Sequence, residues 1–132
     1  MPRVLRVFVD TNILYSGLFF EGAPRKLLLL AHHGELTLLV SEYVLTELRR
    51  VIGRKAPSRL KDLELFLGKI GYESIPFPSK TMVERYSRFV PHKEDAPILA
   101  SAILADADYV WLRSKGEALL FPAKRRLKKG WR

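Results

Sequence analysis

The sequence predicts an α/β fold, a three-layer α/β/α sandwich around a central, mostly parallel twisted sheet of four or five strands. Two observations carry this reading. Residues 4–9, 36–40 and 109–112 are short runs dominated by apolar residues, as expected of strands covered on both faces. The segments between them repeat apolar residues at helical spacing. Strands that alternate with helices are most simply joined as parallel strands with helical crossovers.

Taken in order, residues 4–9 form the first strand, and Asp10, Thr11 and Asn12 make a short polar turn. Residues 13–20 are apolar and helical until Gly22. Pro24 suits a first helical turn, and residues 25–33 read as a helix stopped by Gly34. Residues 36–40 are the second strand. Ser41 is placed to cap a helix that runs to about Ile52, with Gly53 near its end. Leu60, Leu63, Phe66, Leu67 and Ile70 mark a helix over residues 59–70, ended by Gly71. Residues 73–77 read as a short strand, stopped by Pro76 and Pro78. Residues 81–90 and 96–105 are further helices, the second alanine-rich and able to pack closely on a sheet. Residues 109–112 are the last strand that the pattern picks out.

The 132 residues suffice for one domain. Residues 1–122 read as that domain, and residues 123–132 as a basic tail. The absence of cysteine excludes disulfides, thiolate metal sites and cysteine nucleophiles. No stretch approaches the ~20 apolar residues of a membrane span, and the N-terminus lacks a signal-peptide pattern, so a cytoplasmic location is expected. The net charge is +9, and the last ten residues hold six basic side chains and no acid, leaving +3 for the rest. Lys124, Arg125, Arg126, Lys128 and Lys129 are therefore candidates for nucleic-acid binding, with Trp131 as a stacking ring; a solvated terminus is the alternative. No glycine-rich phosphate loop is present.

Three acids fall at the ends of elements. Asp10 closes the first strand, where ligands of parallel sheets bind, though it also suits a helix cap. Glu47 lies about 40° outside the apolar arc of its helix, at the border of the buried face. Asp95 precedes an apolar helix and reads either as its N-cap or as a group facing the same crevice. If all three converge, their repulsion raises their pKa values unless a cation neutralises them. A hard divalent ion, Mg²⁺ or Mn²⁺, accepts carboxylate oxygen and activates water toward a phosphodiester.

The segments carrying these acids resemble the PIN domain family, nearest the PIN-type (VapC-like) toxins of prokaryotic toxin–antitoxin pairs. The first is Val7-Phe8-Val9-Asp10-Thr11-Asn12-Ile13-Leu14. The second is Thr46-Glu47-Leu48-Arg49-Arg50-Val51. The third runs from Glu94-Asp95-Ala96-Pro97 to Ala102 and continues at Ala107-Asp108-Tyr109-Val110. The resemblance spans residues 4–121. It implies a divalent-metal-dependent endoribonuclease that cleaves single-stranded RNA by in-line attack of water, leaving a 5′-phosphate. It further implies Asp10, Glu47 and Asp95 as catalytic metal ligands and Asn12 as a support for the first acid. A homodimer and a cognate antitoxin are the implied partners, with no membrane.

The chain also departs from the family pattern. The family usually places Thr-x-Asp after its last parallel strand; here Leu112-Arg113-Ser114 puts Ser114, a supporting residue at most, at the position of a fourth acid. His92 stands where many relatives carry an acid. The alternative reading is thus a catalytically weakened or inactive RNA-binding module of the same fold. Glu117 replaces the lost acid only if the chain turns back within three residues, and Asp108 begins a strand at the wrong end of the sheet. The family's final strand is not evident, so a four-stranded sheet or an edge strand from a partner remains open. His32 and His33 read as helix-terminal residues, and Tyr15, Phe19 and Phe20 as core or as a subunit interface.

Overall fold

The structure, a computed structural model, describes residues 4–90, 92–114 and 117–123. A five-stranded sheet forms its centre, in the order β3-β2-β1-β4-β5. Strand β1 (Arg6–Val9) leads through helices α1 (Thr11–Phe19) and α2 (Ala23–His32) to β2 (Thr37–Ser41). Helices α3 (Glu42–Lys55) and α4 (Leu60–Ile70) lead on to β3 (Glu73–Ile75). Helices α5 (Lys80–Ser87) and α6 (Ala96–Leu104) return the chain to β4 (Tyr109–Ser114), and β5 (Glu117–Pro122) closes the order. Strands β1 to β4 run parallel, and β5 pairs antiparallel with β4.

This order fixes the layers. From β1 through β2 to β3 the chain steps steadily toward one edge. Right-handed crossovers then put α1 to α4 on one face. From β3 to β4 the chain steps back the other way, so α5 and α6 belong to the opposite face. The contacts agree: α1, α2, α3 and α4 touch one another, and α5 packs on α6. The reversal lies between β1 and β4, and a crevice opens there at the carboxyl ends of both strands.

The core sits between these layers. Phe8, Val9, Leu38, Leu39, Val40 and Val110 of the sheet are fully covered, as are Ile13 and Leu14 of α1, Leu48 of α3 and Leu99 of α6. Each such side chain contributes about 1.5–3 kcal/mol through burial. Gly17 allows the close crossing of α1 and α2: a Cβ there would lie 2.6 Å from Leu28 Cδ1. At the turn before β2, Gly34 has φ +76°, which favours glycine.

Several expected boundaries shift. Helix α1 begins at Thr11 rather than Ile13, because the Asp10 side chain caps it by accepting from the Ile13 N–H. Helix α3 continues through Gly53 to Lys55, and α5 begins at Lys80, capped by Ser79. Strand β4 continues two residues past Leu112, through Arg113 and Ser114. The fifth strand comes from this chain itself, over residues 117–122 that carried no strand assignment in the sequence. The basic residues Lys124, Arg125, Arg126, Lys128 and Lys129 lie outside the described residues. Among the described residues, no helix is long and apolar enough to cross a membrane.

Candidate active site

Asp10 directly follows β1 at the reversal point. Its backbone N–H donates to the Trp111 carbonyl at 3.1 Å, which extends the β1–β4 ladder by one step. Its carboxylate is held from two sides. Oδ1 accepts from the Ile13 N–H and Oδ2 from the Arg113 N–H, both at 2.8 Å. The first bond caps α1 and the second grips the end of β4. Asn12 completes the clamp, its side-chain amide donating to the Arg113 carbonyl at 3.3 Å. Thus Asn12 supports the setting of Asp10 through β4, without a bond to the carboxylate itself.

Asp10 is 7% exposed. Burial raises its pKa from 3.8 to about 6, opposed by the two backbone hydrogen bonds and assisted by the charges of Asp95 and Glu47. The two N–H bonds occupy one lone pair on each oxygen, so each oxygen keeps a second acceptor direction.

Glu47 comes from α3, whose start is fixed by Ser41 Oγ accepting from the Val44 N–H at 3.0 Å. Val44, Leu45, Leu48 and Ile52 of that helix are buried. Glu47 is half-buried at the edge of this face, as its helical angle predicts. Tyr43 stands one turn earlier beside Glu47; burial first, and then the Glu47 carboxylate, hold its hydroxyl above the ordinary tyrosine pKa. Asp95 ends a single 3-10 turn, Lys93–Asp95, and stands before α6 without capping it through its side chain. Asp95 thus holds the N-cap position of α6 as its place in the sequence suggests, but makes no side-chain capping bond.

All three acids line one open hollow of about 340 Å³, together with Thr11, Asn12, Tyr43, Glu94, Ile98 and Arg113. Among the described residues, no three His, Asp or Glu side chains form a ready-made ligand cluster. The acids share a space rather than a closed cage. Such a space suits a hard cation that keeps several of its waters. All the acidic donors are oxygen, which suits hard divalent cations over softer ones.

Other expectations resolve individually. Asp108 lies at the opposite end of the sheet, where Oδ2 accepts from the Arg6 N–H at 2.9 Å. His32 Nδ1 meets the Lys69 carbonyl at 2.7 Å and so serves as a structural donor. Tyr15 and Phe19 pack partly buried against the core, while Phe20 is exposed. Ser114 occupies the last position of β4, opposite Glu117 of β5. The chain does turn back within three residues, so both backbones stand at the Asp10 end of the sheet.

Two lining residues were not anticipated. Tyr43 was absent from the sequence reading, although its position four residues before Glu47 puts both on one side of α3. Arg113 reaches the hollow because β4 continues past Leu112, where the apolar run ends.

The PIN domain profile matches residues 6–110. The chain belongs to the PIN domain family. Among solved structures, this PIN domain is similar to VapBC2 from Rickettsia felis, crystallised bound to a DNA fragment from the promoter of that pair. The TM-score is 0.61 at 21% identity, over 83% of this chain and 87% of the other. That likeness concerns the fold. No curated protein sequence matches this PIN domain closely enough to count as a relative.

Proposed function

We propose that this PIN domain is a divalent-metal-dependent endoribonuclease that cleaves single-stranded RNA. The observation that carries the reading is the meeting of Asp10, Glu47 and Asp95, from three separate segments, on one hollow at the strand-order reversal. Asp10 is the fixed member, because its two backbone hydrogen bonds leave its carboxylate no freedom to turn away. Glu47 and Asp95 supply the further oxygens. Bound among these residues, Mg²⁺ or Mn²⁺ supplies Lewis acidity and a water of lowered pKa. Thr11, Asn12 and Tyr43 furnish polar groups on the walls, and Arg113 furnishes a cation suited to a phosphate oxygen. Lys124, Arg125, Arg126, Lys128 and Lys129 add sequence-independent attraction for the RNA backbone.

The biological role that fits is the toxin of a toxin–antitoxin pair, acting as a homodimer in the cytoplasm and held in check by a cognate antitoxin. The support for this role is the similarity of fold to VapBC2. A second reading rests on a specific observation. Ser114 holds the position of the family's fourth acid, and the neighbouring Arg113 lines the hollow. On that reading the domain binds RNA without cutting it.

One experiment separates the two. Purified protein is incubated with mixed single-stranded RNA and Mn²⁺, with EDTA and Asp10→Asn as controls. Cleavage to 5′-phosphate ends, abolished by both controls, supports the ribonuclease. Binding without cleavage at every Mn²⁺ concentration supports the silent module.

A further inference from the structure

Beside the acidic hollow lies a second one of about 200 Å³, lined by Thr11, Asn12, Tyr15, Glu47, Lys55 and Arg59, among others. Three residues, Thr11, Asn12 and Glu47, line both. The two spaces therefore adjoin along the wall made by the start of α1 and the middle of α3. Their chemistry differs. The first gathers carboxylates, whereas the second brings together two cations and an aromatic ring. Lys55 ends α3 and Arg59 ends the following 3-10 turn, and both are exposed. Among the described residues, neither forms an ion pair with a carboxylate. The Arg59 guanidinium lies 5.0 Å from the centre of the Phe19 ring, which holds it in place while its N–H edge stays available. Tyr15 packs against Phe19 and Phe20, with ring centres 5.3 and 5.7 Å away, so its ring is also held.

Two cations, one of them held over Phe19, and a packed ring beside a carboxylate-lined hollow match one nucleotide unit of a polyanion: phosphate for the cations, base for the ring. We propose that the Tyr15–Lys55–Arg59 hollow is a second subsite for single-stranded RNA. It binds the phosphate and base of a nucleotide next to the one held over Asp10, Glu47 and Asp95. A strand then passes across Asn12 and Glu47 from one hollow into the other. This inference rests on the ribonuclease reading for its ligand, but concerns residues outside the acidic set.

The test uses the full chain in EDTA, so that cleavage plays no part. Affinity for a fluorescent twelve-nucleotide RNA of mixed sequence is followed by anisotropy across a salt series. For Lys55→Ala/Arg59→Ala, the slope of log affinity against log salt should shrink by about 0.7, the scale of one lost phosphate contact. Tyr15→Leu should weaken binding by about 5-fold or more and leave the slope unchanged, because stacking releases no counterion. Lys26→Ala/Lys80→Ala removes the same charge from exposed sites lining neither hollow and should keep most of the slope. With Mn²⁺ present, the Lys55/Arg59 variant should raise KM and spare kcat.

If wild type binds and the Lys55/Arg59 variant matches it in affinity and slope, the subsite is overturned while the ribonuclease reading stands. The same holds if the Lys26/Lys80 control loses as much slope. If wild type neither binds nor cleaves RNA, both are overturned together. The Lys55 and Arg59 side chains are exposed, so their loss tests the subsite even if Tyr15→Leu fails to fold.

Discussion

The two ends of the β1–β4 pair use the same side-chain chemistry to opposite effect. At the amino-terminal end, one arginine engages the nearby carboxylates, Glu73 through its guanidinium and Asp108 through its backbone N–H. The Arg6 guanidinium pairs with Glu73 and donates to the Ala105 carbonyl at 2.8 Å, while Asp108 accepts from the Arg6 N–H. Arg6 is held above its ordinary pKa, chiefly by its bond to Glu73. At the carboxyl-terminal end, Asp10 is buried among like charges and has only backbone N–H partners, so its pKa rises to about 6. One end ties its carboxylates to Arg6. The other is short of positive charge, and its imbalance stays in a hollow open to ligands. Strand direction decides which is which: backbone N–H groups and helix starts collect at the carboxyl end of parallel strands, where anions and the ions they bind are accommodated.

This contrast can be broken by experiment. The largest effect is expected in cleavage. Asp10→Asn, Glu47→Gln and Asp95→Asn should each lower kcat by about 100-fold or more, the scale of losing one preset electrostatic group. Asp108→Asn should leave kcat unchanged. Equal losses at both ends would erase the distinction.

The second effect is on stability against pH. A carboxyl whose folded pKa is raised adds stability that is complete below its unfolded pKa and vanishes as pH rises through the folded one. For Asp10 the window runs from about pH 4 to about pH 6. The shift from 3.8 to about 6 corresponds to about 3 kcal/mol. The stability of wild type minus that of Asp10→Asn, measured by urea unfolding, should fall by about this amount between pH 4 and pH 7. A flat difference curve would show that Asp10 is not desolvated. Asn offers one acceptor oxygen where Asp offers two, so it should also leave one of the Ile13 and Arg113 N–H groups unpaired at every pH.

At the amino-terminal end the effect is smaller and carries no activity change. Asp108→Ala removes the acceptor for the Arg6 N–H and should cost about 1–3 kcal/mol, read from the urea midpoint. The smallest effect is expected from Tyr43→Phe. Losing the hydroxyl beside Glu47 removes a polar contact worth at most about 0.5–1.5 kcal/mol, so metal affinity should fall only several-fold with kcat nearly kept.

The same contrast explains what the sequence disclosed. Asp10 was legible because a single acid ending an apolar strand has few placements. Glu47 was legible because a helix of 14 residues has a calculable face. Asp95 was harder, since a residue before an apolar helix fits a cap equally well, and only the structure shows that its side chain does not cap. Strand β5 was missed for a physical reason. Parallel strands need crossover helices, and alternation of strand with helix marks them in the sequence, whereas an antiparallel hairpin carries no such helix between its strands. Here Lys115 and Gly116 separate the two strands. The same oversight ended β4 at Leu112 and hid Arg113 from the hollow. The neighbouring subsite was illegible because it depends on how α1 and α3 approach each other, which no local spacing encodes.

The central claim is that Asp10, Glu47 and Asp95 act together on one cation, and calorimetric titration with Mn²⁺ near pH 7.5 tests it most directly. Wild type and Asp108→Asn should bind with the same affinity. Asp10→Asn, Glu47→Gln and Asp95→Asn should each bind about 10-fold more weakly or not at all, as expected when a ligand is removed. Affinity unchanged across all three variants would contradict the account.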